Sequence, residues 1–187
     1  MAYPRTHHLF GSFFCGMEMA QYWADLPLWE NLLNEHREIK TLIEMGTYKC
    51  GMSVFLKAQC IARQMRFWTF DRKRPEELDN PVVRALGIDE DFVLGDFFAD
   101  RKDKLVGLLS WQEIKPLLLF VDGSNKPLEL ETFVPYLAAG DYAAVHDYGT
   151  EFQPGAEEPV ADLLERVYWQ ECEAPPQPCL TRFWRRR

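Results

Sequence analysis

The stretch Leu117-Leu118-Leu119-Phe120-Val121 is apolar without interruption and ends abruptly in Asp122-Gly123. A short apolar run bounded by turn formers is the pattern of a strand covered on both faces, the usual situation in a parallel sheet. Parallel strands need long crossover connections, most often helical, so this run constrains the sequence around it. The flanking sequence supplies both parts. Thr41-Leu42-Ile43, Phe67-Trp68-Thr69-Phe70 and Phe92-Val93-Leu94 are compact strand candidates, and Tyr142 to Val145 is a fifth. Between them, apolar residues recur at helical spacing. Val54, Ala58, Ile61 and Ala62 form one stripe, and Leu105, Val106, Leu108 and Leu109 another. Leu130, Phe133, Val134 and Leu137 follow Pro127 and stop at Gly140. Val160, Leu163, Leu164 and Val167 read as a last helix, and Cys179 to Trp184 as a closing edge strand.

Strands alternating with helices imply right-handed crossovers and a sheet covered on both sides, an α/β fold. The 187 residues suit a single domain over 1–187. Its expected parts are an aromatic N-terminal helical segment, 1–38, and a core, 39–187. In the first part, Asp25 reads as an N-cap with Pro27 in the first turn, ahead of Leu28, Trp29, Leu32 and Leu33. The segment with Phe10, Phe13, Phe14, Tyr22 and Trp23 is expected either to cover a pocket as a lid or to pack as an ordinary helix or homodimer contact.

A formal charge of -8 excludes nucleic-acid binding by bulk electrostatics, which needs clustered Lys and Arg. Arg182 and Arg185 to Arg187 are a local exception, read as a solvated tail. The cysteines Cys15, Cys50, Cys60, Cys172 and Cys179 contain no C-x-x-C pair, and their odd count fits reduced thiols in a cytoplasm. No apolar run is long enough to cross a bilayer.

In open α/β sheets, ligands bind beyond the carboxyl ends of the strands. Polar and glycine residues gather at those ends here. The first strand runs into Glu44-Met45-Gly46-Thr47-Tyr48-Lys49-Cys50-Gly51-Met52-Ser53, where two glycines allow close backbone approach to a ligand. The turn feeds a helix N-terminus, whose free N–H groups favour an anion. The second strand ends in Asp71-Arg72, the third in Gly95-Asp96-Phe97. The fourth ends in Asp122-Gly123-Ser124-Asn125-Lys126 and the fifth in His146-Asp147-Tyr148-Gly149. Asp122 and Asp147 would emerge on adjacent strands with His146 beside them, a donor set suited to Mg, Mn or a similar cation.

These five strand ends, in this order, resemble those of class I S-adenosylmethionine-dependent methyltransferases. Within that class, V-D-G-S-N and V-H-D-Y look like the metal-dependent small-molecule O-methyltransferases of the cephalosporin-hydroxylase-like and macrocin-type sugar groups. The resemblance covers about Gly16 through Glu151. It implies a Rossmann-like, mostly parallel sheet with helices on both faces and S-adenosylmethionine as cofactor. The cofactor would be held by Glu44, Gly46, Thr47, Tyr48, Gly51 and Ser53 around its methionine part, and by Asp71 and Arg72 at the ribose. Gly95, Asp96 and Phe97 would lie at the adenine, and Asp122 is also implied in binding the cofactor. Phe97 or Phe98 could stack on the base or belong to the core. The resemblance further implies a divalent cation on Asp122, His146 and Asp147 that activates a hydroxyl on a small-molecule or sugar acceptor. Two positions depart from the family pattern. His146 replaces the first acid of an acidic pair, and Asn125 stands where related enzymes carry Lys or His. His146 or Lys126 is therefore expected as proton acceptor, with Lys126 alternatively a solvated residue at a helix start. His7 and His8 are weaker candidates. A non-catalytic methyltransferase-like partner subunit is the alternative expectation. A nicotinamide oxidoreductase is disfavoured by the glycine spacing and by the lack of a Tyr-x-x-x-Lys pair.

Overall fold

A computed structural model describes residues 12–173 and 179–187; Phe10, His7 and His8 lie outside that range. The expected parallel strands form where the apolar runs stand. They are β3 (Thr41–Met45), β4 (Arg66–Asp71), β5 (Phe92–Leu94), β6 (Leu117–Val121) and β7 (Tyr142–Val145). Neighbours in the order β5-β4-β3-β6-β7 are parallel, and β6 is buried along its whole length. The sheet continues through β9 (Arg182–Arg186), antiparallel to β7, and ends at β8 (Leu164–Val167). The result is the Rossmann-like architecture of class I methyltransferases.

The two faces of the sheet follow from the period of two along each strand. Leu42, Leu118 and Phe120 point to one side, where α1 (Asp25–Glu35) and α2 (Gly51–Arg63) pack. Ile43, Met45, Leu117, Leu119 and Val121 point to the other, under α5 (Lys102–Ser110) and α6 (Lys126–Phe133). Among the described residues there are three further short α-helices: α3 (Pro81–Ala85), α4 (Ile88–Asp91) and α7 (Trp169–Glu173). Trp29 of α1 is wholly buried and meets Phe120 and Phe183 edge-on, with ring centroids 4.8 and 5.1 Å away. It thus ties α1 to the central strand β6 and to β9 together.

Three expectations are corrected. The N-terminal segment is not helical over 12–19. It is a hairpin of β1 (Ser12–Phe14) and β2 (Met17–Met19). Its two-residue loop, Cys15-Gly16, has φ of 49° and 81°, the positive angles of a tight hairpin turn. Met17 and Met19 alternate inward against α2 while Glu18 points away, a period of two that outweighs the aromatic composition. Second, Val160 to Val167 is not one helix. A 3-10 segment, Glu158–Leu163, gives way to β8, because β9 offers an unpaired edge for Leu164 onward. The C-terminal strand is accordingly an interior strand rather than the edge, and it begins at Arg182. Third, Asp25 is the first residue of α1 rather than its N-cap, and Ala24 precedes it. Its buried carboxylate accepts the backbone N–H of Tyr22 at 3.1 Å and of Thr181 at 3.1 Å, which locks the helix entry to the C-terminal segment.

Trp29→Ala should lower the unfolding free energy by about 3–5 kcal/mol, as deletion of a buried aromatic does. Urea denaturation would check it, and a loss below about 1 kcal/mol would show that α1 contributes little to the core.

Candidate functional site

The turn from β3 into α2 is shaped by backbone rather than by side chains. Gly46 has φ +103°, and a Cβ there would lie 2.3 Å from the carbonyl oxygen of Asp122. Only glycine permits that approach. Tyr48 and Cys50 also hold positive φ, 47° and 63°. The strained loop is tied down by Asp71 at the end of β4. Its Oδ2 accepts the N–H of Thr47 at 3.1 Å and of Tyr48 at 3.0 Å, and its Oδ1 accepts that of Lys73 at 3.0 Å. No side chain caps α2, so the first-turn N–H groups of Gly51, Met52 and Ser53 have no side-chain acceptor.

Glu44 and Ser53 lie beneath this loop, both fully buried. The Glu44 Oε2 accepts from Ser53 Oγ at 2.5 Å and from Thr69 Oγ1 at 2.7 Å, and Thr47 Oγ1 meets Thr69 Oγ1 at 2.6 Å. Burial raises the Glu44 pKa to about 8, with the two hydroxyl donors working against it. Glu44 and Ser53 therefore do not contact a ligand from this position, contrary to expectation. They set the height of the loop.

A cleft of about 370 Å³ opens above the carboxyl ends of the central strands. Of the expected residues, Gly46, Thr47, Tyr48, Gly51, Asp122, Lys126 and Asp147 line it. The others stand elsewhere. Arg72 is exposed on the loop after β4. Gly95, with φ +137°, donates its N–H to the Asp71 carbonyl at 2.9 Å, and the Asp96 carboxylate caps the N–H of Phe98 at 2.8 Å. Phe97 is buried against Phe98 and Phe133, so it belongs to the core and is not free to stack on a base.

At the β6 and β7 ends, Asp122, His146 and Asp147 converge, with donor atoms within 4.8 Å of one another. Lys126, the first residue of α6, joins them. It is 4% exposed, with Nζ 2.9 Å from Asp147 Oδ2, 3.5 Å from Asp122 Oδ1 and 2.7 Å from Glu151 Oε2. His146 Nδ1 lies 3.3 Å from the same Asp122 Oδ1 and 3.3 Å from the same Asp147 Oδ2, without the alignment of a hydrogen bond. Its Nε2 is 3.8 Å from Asp25 Oδ2. Burial opposes the imidazolium, but Asp122 and Asp147 overcome it and raise the His146 pKa to about 10. Burial likewise opposes the Lys126 ammonium, and Asp122, Glu151 and Asp147 reverse this, so its pKa lies above the ordinary lysine value. Burial would push the Asp147 carboxyl up, yet His146 and Lys126 hold it at about 2. Two expectations change as a result. His146, 1% exposed and off the cleft wall, is not the proton acceptor. Lys126 is neither a solvated residue nor a base, since it is already protonated.

The divalent cation implied by the resemblance meets the right residue types and an occupied arrangement. Both oxygens that would face it already face Lys126 and His146, and the remaining Asp122 oxygen, Oδ2, accepts Gln21 Nε2 at 2.6 Å. The donor set therefore does not fit a divalent cation as it stands.

Several partners escaped the sequence reading. Glu18 reaches the cleft from the N-terminal hairpin, and Gln21 from the segment just after it. Glu18 bonds Lys49 Nζ at 2.5 Å and Tyr48 Oη at 3.2 Å, and its carbonyl would lie 2.3 Å from a Cβ at Gly51. Asn125, where the family pattern led us to expect a base, is the N-cap of α6 and accepts the Leu128 N–H at 3.4 Å. Glu129 bonds back to the N–H of Gly123 at 3.0 Å and of Asn125 at 2.9 Å. Burial raises the Glu129 pKa to about 7 against those donors. Asn125 followed by Pro127 and Glu129 is a readable helix-start signal.

The fold that carries this cleft is similar to that of solved methyltransferase structures. Among solved structures, CmcI in its Mg–SAM form has a TM-score of 0.69 at 18% identity, covering 94% of this chain and 76% of that one. The O-methyltransferase TomG from Streptomyces achromogenes, in complex with SAM, gives 0.53 at 16% identity, covering 87% and 78%. A putative O-methyltransferase from Klebsiella pneumoniae gives 0.54 at 13%, covering 88% and 80%. No family model matches the sequence, and no curated protein matches it. No helix among the described residues is long and apolar enough to cross a membrane.

Glu44 yields a pH prediction. Its folded pKa lies above the unfolded value, so the folded state holds the proton longer. Stability is then fully present below about pH 4.5 and falls as pH rises toward 8. Glu44→Gln should remove this slope and raise Tm at pH 8 relative to wild type by on the order of 5 °C. Differential scanning calorimetry at pH 5 and pH 8 would check it, and parallel profiles for the two proteins would mean that Glu44 is ionised in the fold.

Proposed function

We propose that this protein is an S-adenosylmethionine-dependent methyltransferase that methylates a hydroxyl of a small molecule or sugar. One observation carries the reading: the glycine loop at β3 and the carboxylates at β6 and β7 open onto a single cleft. The neighbouring structures support it, since CmcI and TomG are described with SAM.

The open first turn of α2 would receive the cofactor's carboxylate, and Gly46 would let the loop close on its methionine part. Asp71 spends Oδ2 on the loop, which leaves an acceptor position on Oδ1 for a ribose hydroxyl. When bound, S-adenosylmethionine would supply an activated methyl group to the acceptor oxygen. The protein's share is positioning and proton removal. Asp122 lines the cleft beside Gly46, and its carboxylate would take the acceptor's hydroxyl proton and release it to solvent. Gln21 orients that carboxylate from above. The five free cysteine thiols accord with a cytoplasmic setting for this chemistry.

A non-catalytic, methyltransferase-like partner subunit is the second reading. It draws on the Gln21 contact, which engages an oxygen of the Asp122 carboxylate that would take the proton.

Calorimetric titration with S-adenosylhomocysteine should give one saturable site per chain. Asp71→Ala should weaken it by about 10-fold or more, the loss of one good polar contact plus loop order. No heat from folded wild-type protein would sink the cofactor assignment. Binding without methyl transfer to any hydroxylated acceptor would favour the second reading.

A further inference from the structure

We propose that Lys126 is the cation of this site, its tethered ammonium taking the place between Asp122 and Asp147 that a divalent ion would fill. The proposal deepens the reading given above, on which it rests for the role of the acceptor hydroxyl.

Three observations converge on it. The Lys126 ammonium is ringed by oxygens: Glu151 Oε2 at 2.7 Å, Asp147 Oδ2 at 2.9 Å, the Gly123 carbonyl at 3.2 Å and Asp122 Oδ1 at 3.5 Å. Backbone carbonyl plus carboxylates is the surrounding a hard cation receives. Two cations already face these acids. Lys126 sits against Asp122, Asp147 and Glu151, and His146 against Asp122, Asp147 and the more distant Asp25, so a dication placed between Asp122 and Asp147 would lie against both. The ligand set is also weakened for magnesium, because the position between the two aspartates holds an imidazole in place of a third carboxylate.

The frame that delivers the ammonium is rigid. Lys126 opens α6 four residues after Asp122, with Pro127 next in the first turn. Asn125 and Glu129 bond the helix start from both sides, and Gly123 fits closely under Glu129, where a Cβ would come within 2.3 Å of its Oε1. The ammonium is therefore held by its helix as well as by its counter-charges.

One of its contacts is exchangeable. Glu151 is 64% exposed at its side chain, whereas Asp147 and Asp122 are largely covered. An acceptor oxygen entering the cleft would replace Glu151 at the ammonium. Its developing negative charge would then be stabilised by a fixed cation, as it would be by a metal ion. The proton leaves through Asp122 as in the reading above, so no further reactant is needed.

The test is titration of MnCl2 into full-length wild type and Lys126→Gln, followed by calorimetry and by Mn(II) EPR, with S-adenosylhomocysteine binding measured in parallel. Wild type should show no stoichiometric Mn site. Lys126→Gln should gain one site per chain, about 10- to 100-fold tighter than any wild-type binding, and Asp147→Asn in that background should abolish it. A wild-type Mn site lost in Asp147→Asn would overturn the proposal. So would a folded Lys126→Gln that binds no Mn. If Lys126→Gln does not fold alone, refolding with Mn but not without it supports the proposal, and failure under both conditions overturns it. Loss of S-adenosylhomocysteine binding by wild type would strike the cofactor reading instead, which separates the two failures.

Discussion

The approach of Gly46 to the Asp122 carbonyl joins the two halves of the cleft. β3 and β6 are neighbours in the centre of the sheet, and their chain directions release both loops on the same side. Because Gly46 has no Cβ, the loop turns directly over the end of β6 instead of standing away from it. The Asp122 carboxylate is thereby brought beside the glycine loop, where it can serve a methyl donor and an acceptor together. Any side chain at 46 would push the loop off β6, break the Asp71 bonds to Thr47 and Tyr48, and open the site from below.

Much of this was legible in one dimension. The strands β3 to β7 are continuous or nearly continuous apolar runs, so their existence and order could be read directly. Residues at their carboxyl ends then had to share one edge of the sheet. That reasoning placed Gly46, Asp122 and Asp147 together before any coordinates. It failed where a residue's role depends on distant sequence. Gln21 touches Asp122 from 101 positions away, and Asp25 bonds Thr181 from 156. Lys126 read as a proton acceptor or a solvated residue at a helix start because nothing local shows that β7 and the loop to Glu151 close over it. The hairpin at 12–19 was hidden for another reason: its turn is Cys15-Gly16 rather than a common hairpin pair, and its aromatics suggested helix packing. Leu164 to Val167 carries a helical spacing that the free edge of β9 overrides.

The ionisable groups under and beside the cleft differ in how they are satisfied, and that difference sorts their roles. Glu44 is sealed, bonded by two hydroxyls, and its burial favours the neutral acid. Such a group positions the loop and has no path to a reactant. Asp122, Asp147 and Lys126 reach the cleft wall and compensate one another, so they stay charged at little net cost. His146 stands between these cases. It is buried behind the carboxylates, with Asp25 on its other side, and so adds positive charge from within rather than chemistry at the surface.

A cation built into the chain differs from a bound ion in what it demands of the rest of the site. A divalent ion brings its own charge and needs an excess of carboxylates to hold it, whereas an ammonium brings one charge and a covalent tether. Fewer acids are then required, and an imidazole becomes acceptable in the inner position. His146 and Lys126 thus supply the positive charge at these strand ends together, and Asn125 caps the helix that carries Lys126. The same logic accounts for Gln21. Asp122 Oδ1 faces Lys126 and His146, and Gln21, just after the hairpin, supplies a neutral donor to Oδ2.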